Sequence, residues 1–357
     1  MAAVLMAACC ACDKKPAETP KEQLTGRLLS LAENGQIAYG HQDDLAYGHS
    51  WCVEDYTTDP LERSDVKAVT GKYPMVLGFE LGGIELGDEK NLDGVPFGLM
   101  LKGARKHIER GGIVTFSWHP RNPVTGGDAW DVSSDQAVKA VLPGGDKYEQ
   151  FQLWLERAAD FFEELGPEVS VIFRPWHENS GSWFWWGEKL CTAQEYRDLF
   201  RLTWEYFNER GLDNLIWCYS PNGPFSQESY LSRYPGDDVV DLLGADLYEF
   251  VGPDGIEASG ARFTAELSAM LDTLTALGQK QQKPICLSET GFEGIPDPEW
   301  WTGVLLPAIV DYPITYVLTW RNASDRPGHF YAAWEGFEGA PDMKAFSENE
   351  HIAFLNR

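Results

Sequence analysis

The feature that most limits what this chain can fold into is a pattern that recurs eight times. A short apolar run, rich in β-branched and aromatic residues, ends in polar or aromatic residues and gives way to a helical stretch. The runs are Gln36–His41, Met75–Leu81, Ile113–His119, Val169–Glu178, Leu215–Asn222, Leu242–Tyr248, Pro284–Thr290 and Ile314–Arg321. They are nearly continuous in apolar residues, as parallel strands buried on both faces must be. Between them, Tyr148–Leu165, Thr192–Arg210, Phe263–Leu277 and Pro298–Tyr312 repeat apolar residues at helical spacing. Eight such units predict an α/β fold, a closed (β/α)8 barrel of the TIM type. An open doubly wound sheet usually carries a Gly-rich phosphate loop after its first strand, and no G-x-G-x-x-G stands there. The loops Gly82–Gly98, Pro120–Gly145 and Asn222–Pro235 are long, but each follows a strand, where barrel active-site loops belong. Residues 24–357 therefore read as one barrel domain without internal repeats.

Charge narrows the partners. The chain holds 55 acidic and 29 basic residues, a formal net charge of −26. Such a field repels nucleic-acid phosphates, anionic lipid head groups and polyanionic polysaccharides, and leaves neutral polymers unaffected. Fourteen tryptophans exceed what packing usually requires. Flat indole faces are what sugar rings stack on.

In a barrel, chemistry collects at the C-terminal ends of the strands. Here those ends read Gly40-His41-Gln42-Asp43, Glu80, Ser117-Trp118-His119, Arg174-Pro175-Trp176-His177-Glu178, Ser220-Pro221-Asn222, Asp246-Leu247-Tyr248, Ser288-Glu289 and Trp320-Arg321-Asn322. Glu178 closes the fourth run and Glu289 the seventh, and strands four and seven face each other across a barrel mouth. Glycoside hydrolysis needs such a pair of carboxyls, one to protonate the leaving oxygen and one to attack or to activate water. Metal catalysis fits poorly, because His177 and Glu178 as neighbours on a strand point to opposite sides and no third ligand is spaced to join them. No metal and no cofactor is expected.

At this point a resemblance becomes specific. The stretch Arg174-Pro-Trp-His-Glu-Asn-Ser-Gly-Ser-Trp-Phe-Trp-Trp-Gly187 closely resembles the acid/base motif of glycoside hydrolase family 26, the β-mannanase family of the four/seven barrel clan. Leu287-Ser-Glu-Thr-Gly291 is similar to its nucleophile motif, and Ser117-Trp-His-Pro120, Asp246-Leu-Tyr248 and Trp320-Arg-Asn322 follow in the family's order. The resemblance implies a retaining endo-β-1,4-mannanase with Glu178 as acid/base and Glu289 as nucleophile. It implies that His177 touches the 2-hydroxyl of the sugar at the cut, where most of the clan has asparagine. His119 and Tyr248 would support that subsite, with the Tyr248 hydroxyl bonding Glu289. Trp320 would floor the reacting ring, Arg321 would reach the next sugar on the non-reducing side, and Trp183 would be the leaving-side aromatic. Trp130 would serve a negative subsite. Donors such as Arg174 and Tyr248 would keep Glu289 ionised, while the charge on Glu289 and apolar walls such as Trp183 would raise the pKa of Glu178. Trp118, Trp185 and Trp186 stay open between sugar contact and packing. His41 is read as core.

The expected partners are β-mannan polysaccharide and manno-oligosaccharides, met by a monomer. Two alternatives are a same-fold hydrolase of another β-glycan, such as β-1,3-xylan or mixed-linkage glucan, and a glycan-binding surface lipoprotein without catalysis. Residues 1–12 are apolar and small with Cys9, Cys10 and Cys12, and a polar tether follows over 13–23. That end resembles a bacterial lipoprotein signal segment. It implies an exported protein held at the outer membrane by a lipid on Cys12, with Cys9 the alternative. Cys218 and Cys286 fall in apolar runs and read as buried thiols, whereas a Cys52–Cys191 bridge stays open.

Overall fold

The computed structural model describes residues 17–356; the segment expected to carry the signal and Cys12 lies outside them. Eight parallel strands form the barrel: β1 (Ile37–Gln42), β2 (Val76–Glu80), β3 (Ile113–Trp118), β4 (Ile172–Pro175), β5 (Ile216–Tyr219), β6 (Leu242–Glu249), β7 (Ile285–Phe292) and β8 (Ile314–Thr319). Each pairs with the next, and β8 returns to β1 in the register Ala38↔Tyr316 to His41↔Thr319, which closes the sheet. A helix follows every strand, so the expected TIM barrel is present.

Period-two alternation sorts the strand residues. One set points inward at the bottom of the barrel and contributes a residue from every strand: Ala38, Val76, Ile113, Ile172, Ile216, Leu242, Cys286 and Tyr316. Two or four residues further along these strands the interior turns polar, with Glu80, Ser117, Arg174, Ser220, Asp246 and Ser288 buried there. The other set packs outward beneath the helices and forms the larger apolar core.

The bottom is closed by helix α1 (Pro20–Glu33). Thr19 caps it, Glu22 completes a capping box, and Pro20 occupies the first turn, where its missing N–H goes unneeded. Leu24 and Leu28 insert into the apolar end of the barrel. Arg27 donates to the Gly112 carbonyl at 3.1 Å, and Lys21 pairs with Asp241 at 2.7 Å. The helix starts at Pro20, inside the stretch 13–23 read as tether, because a Thr-Pro-x-Glu start signal outweighs its polar composition.

Two helices depart from the sequence reading. Phe263–Leu277 is the middle of a longer helix, Ile256–Gln281, whose first turns contain the weak formers Ser259 and Gly260. The Ser259 hydroxyl is tied to Glu249 at 2.6 Å. Within Pro298–Tyr312 the chain forms a π-helical turn, Trp301–Leu305, before the α-turn Leu306–Ile309. Pro307 has no N–H to offer the preceding turn, which favours the wider winding.

All four cysteines among the described residues are free thiols, so Cys52 and Cys191 form no bridge, and Cys218 and Cys286 are buried as expected. His41 is fully buried, its Nδ1 2.8 Å from Asp44. Replacing Leu28 by alanine should lower the unfolding free energy by about 2–5 kcal/mol, the usual range for a truncated core leucine. Urea denaturation reads this directly, and a loss below about 1 kcal/mol would show that α1 is not part of the core.

Candidate active site

Two local irregularities deliver the two glutamates. Along β7 strict alternation would send Glu289 outward, because Ser288 already points in and bonds Asp246 at 2.6 Å. The pairing with β6 slips here: Leu287 faces Ala245, and Glu289 faces Asp246. One extra residue in β7 is a bulge, and a bulge re-aims the side chain that follows it. Glu289 consequently joins the cleft.

At the other side, β4 ends at Pro175 rather than running to Glu178. Trp176 and Glu178 both adopt left-handed backbone angles, φ 55° and 53°. Such angles cost about 1–2 kcal/mol per residue outside glycine. Hydrogen bonds hold the turn in place. Tyr196 Oη donates to the Trp176 carbonyl at 2.8 Å, the Trp176 indole donates to Thr203 at 3.0 Å, and Trp186 donates to the His177 carbonyl at 2.8 Å. The Glu178 amide itself donates to the Ser220 carbonyl at 2.7 Å.

Beneath the carboxyls lies Arg174. Its guanidinium bonds Asp246 at 2.7 Å, Ser220 at 3.2 Å and Glu289 in a short contact. Tyr248 Oη donates to the other oxygen of Glu289 at 2.5 Å. Glu289 thus has donors on both oxygens. Burial and the facing charge of Glu289 push the pKa of Glu178 well above the ordinary range. Trp183 acts in the opposite sense to the apolar wall expected of it, since its indole N–H donates to Glu178 at 2.6 Å. Asp246 is pushed up to about 7 by burial and by Glu289, against the pull of Arg174. One cation, Arg174, is thus shared between Asp246 and Glu289.

The histidines form a chain. His119 Nδ1 lies 2.7 Å from Glu80, and its Nε2 lies 3.0 Å from Nε2 of His177. Trp130 stacks on His119, with centroids 5.1 Å apart and planes at 12°. Burial, with Arg174 and His119 nearby, holds the pKa of His177 well below its usual value.

A cleft of about 540 Å³ opens over these groups. Among the residues expected from sequence, it is lined by His119, Trp130, His177, Glu178, Trp183, Tyr248, Glu289 and Trp320. Two others lie elsewhere. Arg174, expected as a donor to Glu289, is buried beneath that carboxylate and bonds it from below without lining the cleft. Arg321 sits in an adjoining depression, paired with Asp93 at 2.8 Å and 3.3 Å from the Tyr47 hydroxyl. Trp118, Trp185 and Trp186 are wholly buried and belong to packing. Trp183 and Trp130 stay exposed at 42% and 47%.

Sequence reasoning missed Phe250, His329 and Tyr331, which line the same cleft, and Asp93, which neutralises Arg321. Phe250 was findable, being two residues past Tyr248 and so on the same side of an extended strand. The others come from loops with no period to read. Fold and site together define a class: a TIM barrel with two carboxyls at the ends of strands four and seven, set in an aromatic cleft of the kind glycoside chemistry uses.

Comparison with known proteins makes the class specific. Residues 23–282 match the model of glycosyl hydrolase family 26, and the chain belongs to that family. It resembles the solved structure of a family 26 β-mannanase from Bacteroides ovatus, with a TM-score of 0.87, 44% identity and 95% and 96% of the two chains covered. The catalytic domain of an endo-β-1,4-mannanase from Bacillus sp. JAMB-750 aligns at TM-score 0.84 and 32% identity, covering 95% and 92%. Among curated proteins, a mannan endo-1,4-β-mannosidase of Bifidobacterium adolescentis is 32% identical over 86% of this chain, which spans only 32% of that longer protein. One from Bacillus subtilis is 28% identical, covering 74% of this chain and 71% of its own length.

The raised pKa of Glu178 has a consequence for stability. A carboxyl held above its unfolded value destabilises the fold once pH exceeds that unfolded value, about 4.3 for glutamate. Glu178→Gln should therefore raise the melting temperature at pH 7, and the gain should shrink as pH falls toward 4. A gain independent of pH, or none, would contradict the assigned environment.

Proposed function

We propose that this chain hydrolyses β-1,4-mannan, with galactomannan and glucomannan among its substrates, by a retaining mechanism. The observation that carries the reading is the opposed treatment of two facing carboxyls. Arg174 and Tyr248 donate to Glu289, whereas burial and the charge on Glu289 raise the pKa of Glu178 and so favour its protonated form. The names of the relatives support mannan as the polymer.

In the first step Glu289 attacks the anomeric carbon while Glu178 passes its proton to the departing glycosidic oxygen. A covalent glycosyl ester forms and the leaving chain departs. The negative charge of Glu289 is consumed in that bond, so the repulsion that held the proton on Glu178 disappears. Glu178, now a carboxylate, takes a proton from a water molecule as that water's oxygen attacks the anomeric carbon, and the bond from that carbon to Glu289 breaks to return the carboxylate. Glu178 and Glu289 line one cleft, and the charge on Glu289 adds to burial in raising the pKa of Glu178, which suits the close carboxyls that retention requires. The exposed face of Trp183, tied to Glu178, suits the departing sugar, and Trp320 suits the reacting one.

The test is cleavage of galactomannan, glucomannan, β-1,3-xylan and mixed-linkage glucan by wild type, Glu289→Ala and Glu178→Ala. Mannan cleavage should vanish in Glu289→Ala, and NMR should show the β-anomer as the first product. Glu178→Ala should lose about 10²–10⁴ in kcat on polymer and much less on an aryl mannoside whose leaving group needs no proton. Cleavage of another glycan alone would move the substrate assignment, and a first-formed α-anomer would replace retention with inversion. Binding of mannan without cleavage would favour the glycan-binding alternative.

A further inference from the structure

Glu80 takes no part in the scheme above, yet it is the most fully bonded carboxyl in the upper barrel. One oxygen accepts from the backbone amides of Gly82 and His119, each at 2.7 Å. The other accepts from the Ser117 hydroxyl and faces His119 Nδ1 at 2.7 Å. Burial works to raise its pKa, but His119, Ser117 and the Gly82 amide outweigh burial and leave it below the usual value. A carboxylate there can only accept, so the proton of His119 sits on Nδ1.

The consequence passes along the chain. With Nδ1 protonated, a neutral His119 has a bare lone pair on Nε2. The Nε2 atom of His177, 3.0 Å away, must then be the donor. A neutral imidazole carries one proton, so Nδ1 of His177 is left as an acceptor. That atom is buried and has no hydrogen-bond partner among the described residues. An orphaned buried N–H is rarer than an under-used lone pair, and the Arg174 charge nearby favours the lone pair. The reverse order would strand a donor beside a cation.

We propose that Glu80 is a positioning residue that fixes the proton order of the two cleft histidines, with the proton of His177 on Nε2 and its lone pair on Nδ1. His177 adjoins Glu178 in sequence and lines the cleft, so this order sets the polarity of the ring beside the reacting groups. This catalytic consequence rests on the glycosidase reading; the proton order itself does not.

Glu80→Gln is the informative change because it keeps size and shape. The carbonyl of the substituted side chain can serve the two amides, which turns its NH2 toward His119 Nδ1. The NH2 only donates, so the His119 proton is driven to Nε2 and the His177 proton to Nδ1. Both tautomers should invert. Long-range ¹H–¹⁵N spectra of the folded full chain, with the rings assigned by single His variants, report which nitrogen carries each proton. The wild type should show Nδ1–H on His119 and Nε2–H on His177, and E80Q the reverse, with kcat/KM on manno-oligosaccharides down about 10–100-fold, as for lost partners that orient a histidine. A wild-type His177 protonated at Nδ1 overturns the proposal, as does an E80Q spectrum without inversion. Inversion with kcat/KM within twofold of wild type overturns the catalytic part. If E80Q does not fold, the wild-type spectrum alone decides the proton order. If the wild type cuts no mannan, the function reading fails while the spectra still judge the tautomers.

Discussion

Arg174 is the group on which the rest of the site depends. It is a single guanidinium, almost wholly buried, shared between Asp246 and Glu289. Buried charges persist only when paired and fully hydrogen-bonded. Arg174 bonds Asp246 and Glu289, and burial together with the charge on Glu289 raises the pKa of both Glu178 and Asp246. In the proposed reaction the acid and the nucleophile are therefore not two independently tuned groups. Their properties are linked through Arg174 and Glu289, and transferring charge into a bond at Glu289 would reset Glu178.

The layered interior keeps this polar assembly stable. Below it, α1 and one side chain from each strand form an apolar plug that needs no hydrogen bonds. Above it, the polar side chains lie at two-residue steps along the same strands, so the tight geometry of the sheet fixes their spacing. Backbone strain at Trp176 and Glu178 sits at the top, where hydrogen bonds from Tyr196 and Trp186 over-determine it. Strained residues of this kind persist only when their surroundings leave no alternative. Placing the stabilising contacts at one end and the strained ones at the other lets each be satisfied by its own neighbours.

Much of the architecture was legible because parallel barrel strands advertise themselves. All eight runs lie on the observed strands to within a few residues, and the helix Tyr148–Leu165 has the bounds its periodicity indicated. The residues expected at the cleft mostly meet there, since strand ends in a barrel converge whatever the loops do. Arg174 and Arg321 show the limit of that argument. Each is at a strand end, but which way a long cation reaches depends on carboxylates far away in sequence, Glu289 and Asp246 in one case and Asp93 in the other. The aromatic count likewise could not say which indoles are walls. Trp183 and Trp186 share one motif, yet one is exposed to the cleft and the other holds the His177 carbonyl from inside the core.

Strand ends alone do not explain how the two expected glutamates reach the cleft. In regular elements alternation decides what faces where, and Glu178 and Glu289 break that rule twice. Without the bulge at Ser288, Glu289 would lie among the helices. Without the left-handed turn, Glu178 would follow β4 upward instead of folding back toward β5, where its amide meets Ser220. Regular strands give each strand one inward side chain per two residues, and a site needs more than that. At β7 both Ser288 and Glu289 are required inside, the first to hold Asp246 and the second to meet Arg174. Only an extra residue can satisfy both, so the irregularity follows from the number of groups that the shared cation must organise.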